Sequence, residues 1–221
     1  MKYIFMTGVP GSKWSSVAKS IYFSPSIDRS DWSEARTYYH DVIVNRTKGT
    51  FFSENPLVEY EPNLMHMGAY FDPGMEFGDW FESLSSHSKQ ECETEFDRPF
   101  SGAGIRIIKS HVFAYHVDFI KATWPDCPLI LVHREDDAAL GWWTVCGQFD
   151  ITYPIYNYYS NLHQMVIHIS QQNHSILRAW RQYPGRVVGR SEDIEQYLGL
   201  AAVSEDYRTD FVKNDIKVKI I

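Results

Sequence analysis

The chain has 221 residues, 44% of them hydrophobic and 22% charged, with a formal net charge of −7. This composition suits one globular domain and excludes collagenous, repeat-only and wholly disordered chains. A uniformly acidic chain is a poor general binder of nucleic acid or of anionic membrane, so a charged partner is expected to be a small anion held in a local basic pocket.

Cys92, Cys127 and Cys146 are odd in number, far apart and without C-x-x-C spacing. They support neither a disulfide framework nor a zinc knuckle, and the expectation is a reduced, cytoplasmic protein. The first apolar run breaks at Gly8, too soon for a signal-peptide core, and no later stretch approaches the roughly 20 apolar residues of a spanning helix.

In chain order, Lys2 to Thr7 reads as a buried central strand that runs into a loop at Gly8 and Pro10. A helix is expected from about Trp14 to Phe23, with Val17, Ala18 and Ile21 as its apolar stripe and Ser24-Pro25 as its stop. Residues 27 to 100 are poorly periodic and rich in aromatics and methionine. They are read as an irregular insertion of loops and short helices, with Asp79 to about Glu91 the best helix candidate in it. The stretch Met65 to Phe71 is a candidate acceptor lining, although packing over the sheet is the plainer reading.

Ile105 to Lys109 then reads as a short strand, Val112 to Trp124 as a helix, and Pro128 to His133 as a fully buried parallel strand. Asp136 and Asp137 suit the N-terminus of a helix running through Ala138 to Cys146. The longest helix is expected within Tyr153 to Tyr183, where Leu162, Met165, Val166, Ile169, Ile176, Leu177 and Trp180 recur at helical spacing. Gly185 to Gly189 reads as a last buried strand, Glu192 to Leu198 as a helix capped by Gly199, and the alternating tail from Asp215 as an edge strand. Strands separated by helices predict a single domain over 1–221, an α/β fold with three layers (α/β/α) and a mainly parallel sheet. Its ligands should bind at the carboxyl ends of the strands.

Three stretches fall at those ends. The first is Gly8-Val9-Pro10-Gly11-Ser12-Lys13-Trp14-Ser15-Ser16, between the first strand and its helix. Backbone N–H groups and a helix N-terminus here would converge on a phosphate or sulfate, with Lys13 as a point charge and the serines as donors. It is not a Walker A loop, since Lys13 and Trp14 stand where that motif needs glycine and lysine. A plain strand-to-helix turn needs glycine too. The second stretch, Arg106-Ile107-Ile108-Lys109-Ser110-His111, brings a cation and a titratable ring to a strand exit. The third, Leu129 to Asp137, ends a buried strand in Arg134, whose planar fork suits a terminal phosphate or an ion pair with Asp136 or Asp137. Four tyrosines at Tyr153, Tyr156, Tyr158 and Tyr159 could stack a ring but more simply pack. His163, His168 and His174 lack a metal-binding arrangement, and no metal is assigned.

Together, F-M-T-G-V-P-G-S-K-W-S-S, R-I-I-K-S-H and L-I-L-V-H-R-E-D-D resemble the PAPS-dependent sulfotransferases, whose sulfuryl donor is 3'-phosphoadenosine 5'-phosphosulfate. Arg186 to Ile194, continuing through Tyr197-Leu198-Gly199-Leu200, is a weaker fourth match, and the order agrees over about residues 2 to 200. The resemblance implies a P-loop NTPase-like core without metal. It makes Pro10, Gly11, Ser12, Lys13, Trp14, Ser15 and Ser16 the phosphosulfate loop, Lys109 a contact to the transferring group, His111 the general base, Lys13 a further catalytic cation and Arg134 a ligand of the 3'-phosphate. The acceptor would be a hydroxyl or amine of a small molecule or carbohydrate. The sequence departs from the family in placing Gly11 where a cation usually follows the loop proline, Trp14 at a small hydroxyl position and Trp142 at an expected serine. A P-loop kinase of small molecules and a non-catalytic nucleotide-binding relative are the competing readings.

Overall fold

The structure is a computed structural model, and residues 1–31, 69–70, 83–145 and 161–221 are described. It is an α/β fold built on a mixed sheet of strands β1 (Tyr3–Gly8), β2 (Ala69–Tyr70), β3 (Arg106–Lys109), β4 (Leu129–His133), β5 (Arg186–Val188) and β6 (Lys217–Ile220). Their spatial order is β2-β3-β1-β4-β6-β5. The helices are α1 (Trp14–Tyr22), α2 (Lys89–Asp97), α3 (Val117–Thr123), α4 (Asp136–Val145), α5 (Leu162–Gln182) and α6 (Ser191–Leu198). Among the described residues no helix is long and apolar enough to cross a membrane.

β1 lies between β3 and β4 and pairs with both in parallel, Met6 opposite Lys109 and Gly8 opposite Val132. All six of its residues are buried, and alternate side chains enter different cores. Tyr3 and Phe5 join Phe96 of α2, Ile120 of α3 and Met165 and Ile169 of α5. Ile4 and Met6 join Val17 and Ile21 of α1, Ile194 of α6, Phe211 and Val218. Phe5 has the rings of Phe96, Phe113 and Trp124 at 5.6, 6.0 and 5.2 Å, tilted or edge-on as aromatic quadrupoles prefer.

Where a mainly parallel sheet is expected, β2, β3, β1 and β4 pair in parallel, and the exception is β6, which is antiparallel to both β4 and β5. The tail is therefore an interior strand rather than an edge. Its alternation is explained by its neighbours: Val218 and Ile220 enter the core with Ile130, while the buried Lys219 donates from Nζ to the carbonyls of Trp180 and Tyr183 at 2.6 and 2.7 Å. Those carbonyls belong to the end of α5, where a helix leaves acceptors unsatisfied. β5, expected to be buried, is the edge instead, with Arg186 and Val187 exposed.

Helix boundaries moved where local hydrogen bonding was decisive. Of the helix expected over 79–91, residues 79–82 lie outside the described residues; in the rest the α-helix starts at Lys89. Ser88 accepts from the Glu91 N–H while the Glu91 carboxylate accepts from the Ser88 N–H, a reciprocal cap that sets the start. Leu84–Ser86 before it is a single 3-10 turn. The helix expected over 112–124 is split into a 3-10 stretch, His111–Tyr115, and α3, because the Ser110 hydroxyl captures the Val112 N–H and His116 leaves the helical region. α6 follows the expectation, with Asp193 accepting from the Gly189 and Arg190 N–H groups and Gly199 closing it at φ 66°. Cys92 and Cys127 are free and buried. Met65 to Gly68 and Phe71, Cys146 and the four tyrosines at 153–159 lie outside the described residues.

The Lys219 contacts yield a stability prediction. Lys219→Met keeps the apolar stem and removes the two charge-assisted bonds, so unfolding stability should drop by about 1–3 kcal/mol. Urea denaturation should show a lower midpoint with an unchanged slope.

Candidate functional site

The loop after β1 is shaped by two left-handed residues. Gly11 has φ 78° and Lys13 has φ 61°, the latter being the residue just before α1. Between them Ser12 donates its N–H to the Val9 carbonyl at 3.0 Å, and the Ser16 and Val17 N–H groups return to the Lys13 carbonyl. Glycine is required at Gly11 for two reasons: its conformation and its space. A Cβ there would stand 1.9 Å from the Ala139 carbonyl oxygen of α4. At Gly8 a Cβ would meet Ser12 Oγ at 2.7 Å and Trp14 Cβ at 2.8 Å, so the strand exit is also tight, though less so. The loop is thus seated on α4, and its turn is dense.

Arg134, one residue beyond β4, reaches into this loop, where its Nη1 donates to the Gly11 carbonyl at 3.2 Å. Its own carbonyl accepts from Asn173 Nδ2 at 2.8 Å, and the same amide donates to Asp136 Oδ1 at 2.6 Å. One side chain of α5 therefore ties the end of β4 to the start of α4. The ion pair weighed for Arg134 with Asp136 or Asp137 is not among the described salt bridges; its described bond is to the loop carbonyl. Ser12 Oγ and Arg134 Nε are both buried and have no hydrogen-bond partner among the described residues.

Lys109 and His111 arrive from the other side of β1. Lys109 is completely buried, with Nζ 5.5 Å from the ring centre of Trp14, a cation against an aromatic face. The Ser110 N–H donates to the Met6 carbonyl and Thr7 Oγ1 to the His111 carbonyl, so β1 holds the Lys-Ser-His turn by backbone and side chain. His111 is 2% exposed. Gln172 Nε2, from α5, lies 2.9 Å from His111 Nδ1 and 3.2 Å from the His111 carbonyl oxygen. The His168 ring stands edge-on to His111 with centres 5.6 Å apart.

The three expected stretches thus meet at the carboxyl ends of β3, β1 and β4. Pro10, Gly11, Ser12, Trp14, Lys109, His111 and Arg134 are buried there, and Ser15 and Ser16 are on the first turn of α1. The Lys13 Nζ is 4.7 Å from the Trp142 ring centre and 3.3 Å from Asn214 Oδ1. Sequence reading missed Thr7, Gln172, Asn173 and Asn214. The signal for two of them was present, since Gln172 and Asn173 interrupt the apolar stripe of α5 between Ile169 and Ile176, and buried polar residues at stripe positions need partners. Among the described residues no three His, Cys, Asp or Glu side chains form a group able to hold a metal ion. No family model, no curated protein and no solved structure matches this chain.

Burial, with the nearby His111 ring in second place, pushes His168 down to about 3. Above its ordinary value near 6.5 the ring is neutral folded or unfolded. Below that, the unfolded chain takes up a proton that the folded chain refuses until about pH 3, so stability falls as pH falls across this window. The slope from this ring is at most about 1.4 kcal/mol per pH unit. Denaturant midpoints measured between pH 7 and 4 should decline less steeply in His168→Gln than in the parent chain.

Proposed function

We propose that this chain is a sulfotransferase that moves a sulfuryl group from PAPS to a hydroxyl or amine of a small-molecule or carbohydrate acceptor, in the cytoplasm, on a three-layer P-loop NTPase-like core. The observation that carries this reading is the convergence of the loop after β1, Lys109-Ser110-His111 at the end of β3 and Arg134 after β4 at one end of three adjacent parallel strands. That is the edge where open α/β sheets take their ligands. The chemistry of the lining agrees with an anionic ligand: Ser12 Oγ and Arg134 Nε are buried donors without a described partner, and burial without a partner is costly unless a ligand supplies one.

PAPS, when bound, supplies the sulfuryl group and departs as adenosine 3',5'-bisphosphate. The chain's part is to position and to neutralise. The loop amides and the first turn of α1 orient the 5' end, Lys109 offsets charge at the transferring group, and Arg134 takes the 3'-phosphate. His111 is the titratable ring at the reaction point, the general base by resemblance.

A second reading rests on Lys13. Its contacts with Trp142 and Asn214 hold the loop's cation on aromatic and amide groups, as suits a nucleotide-binding relative that has no transfer activity.

A thermal-shift titration separates these readings. Adenosine 3',5'-bisphosphate at about 100 times its dissociation constant should stabilise the native chain by roughly 2.7 kcal/mol, AMP should do so less, and Arg134→Gln should lose the difference. Stabilisation by ATP with magnesium but not by the bisphosphate would replace the proposal with a kinase. Turnover of PAPS that is lost in Lys109→Ala and His111→Ala supports transfer; bisphosphate binding without turnover on any acceptor supports the binding module.

A further inference from the structure

Gln172 is a buried amide that the sulfotransferase reading does not use, and its two contacts determine its orientation. The His111 carbonyl oxygen, 3.2 Å away, can only accept a hydrogen bond. The amide atom facing it is therefore the nitrogen, and that same nitrogen is 2.9 Å from His111 Nδ1. With both hydrogens of one NH2 group directed at His111, Nδ1 must be the acceptor. A neutral imidazole carries one N–H and one lone pair. If the lone pair is on Nδ1, the proton is on Nε2. Turning the amide over would set Gln172 Oε1 against the His111 carbonyl, two acceptors in a dry site, which is costly.

We propose that Gln172 is a positioning residue that holds neutral His111 as its Nε2–H tautomer, so that the ring enters the site as a hydrogen-bond donor. The surroundings sustain this. The Thr7 hydroxyl holds the His111 carbonyl at 3.2 Å, so that the backbone acceptor shared with Gln172 stays in place. Gln172 itself is fully buried on α5, between Ile169 and Ile176. The catalytic meaning of this inference rests on the sulfotransferase reading, and it narrows the role of His111 there. The only lone pair of the neutral ring is engaged by Gln172, so the ring stabilises a negatively charged oxygen through Nε2–H, as a neutral electrophilic imidazole does. As the acceptor's bond to sulfur forms and the sulfur–oxygen bond to the departing adenosine 3',5'-bisphosphate breaks, the acceptor's proton passes to solvent water.

The test uses the full 15N-labelled chain at a pH where histidines are neutral, with His111 resonances assigned by their absence from His111→Ala. Long-range proton–nitrogen correlation should show a protonated Nε2 and an unprotonated Nδ1. A scalar coupling should link Gln172 Nε2 to His111 Nδ1 across the hydrogen bond, a readout that needs no variant. Gln172→Glu, whose carboxylate can only accept from Nδ1–H, should move the proton to Nδ1, and Gln172→Leu should release the preference. A parent chain with its proton on Nδ1, or a tautomer unchanged in Gln172→Leu, overturns the inference. In turnover, a donor role means that Gln172→Glu lowers kcat by about tenfold or more with nucleotide KM unchanged; a rise in kcat would restore His111 as base at Nε2 and overturn the donor role. Failure of the sulfotransferase reading shows separately, as absent bisphosphate binding, and does not alter the tautomer result.

Discussion

The placement of β1 between two parallel partners is the constraint on which the rest depends. A six-residue strand buried throughout must pair both of its edges and cover both of its faces, because unpaired backbone groups and exposed apolar faces are each costly. Pairing with β3 and β4 meets the first need, and the two cores behind Tyr3 and Phe5 and behind Ile4 and Met6 meet the second. The register then follows, with Met6 beside Lys109 and Gly8 beside Val132. The loop, the Lys-Ser-His turn and Arg134 are thereby carried to a common end. No contact among them is needed to bring them there.

Once assembled, this end is stiffened by polar links that cross elements. Arg134 holds the Gly11 carbonyl, Thr7 and Gln172 hold the His111 carbonyl, and Asn173 joins the Arg134 carbonyl to Asp136. All but the partly buried Asn173–Asp136 bond are buried, so each of those is worth more intact than its net contribution suggests, since losing one partner strands the other. α5 contributes both amides from successive positions, on a helix whose carboxyl end is itself held by Lys219 of β6.

The loop shows the same economy at shorter range. Gly11 is pressed onto the Ala139 carbonyl, and Lys13 accepts a left-handed conformation that glycine would adopt more easily. A lysine is present there and its ammonium lies on Trp142, so the aromatic residue found at position 142 has a partner in the loop. Trp14 likewise lies beside Lys109. Trp14 and Trp142 are therefore each paired with a lysine, and a cation on an aromatic face is a stable arrangement in a poorly hydrated site.

Most elements were legible in the sequence because their causes are local. The uninterrupted apolar runs of β1 and β4, the stripe of α1 and α5, the proline after Ser24 and the glycine after Leu198 each act within a few residues. So does the placing of Lys109 at the end of a strand and of His111 and Arg134 just beyond strands. What local pattern could not decide was pairing direction and partner choice. An alternating tail such as Lys217–Ile220 reads as an edge strand, yet it became an interior strand because Lys219 found helix-end carbonyls only tertiary packing could offer. In the same way the sequence by itself determined that a histidine follows Lys109 and Ser110. The proton-carrying nitrogen proposed for it depends on an amide 61 positions away, because hydrogen-bond orientation is a property of the groups that meet in space and not of those that follow one another along the chain.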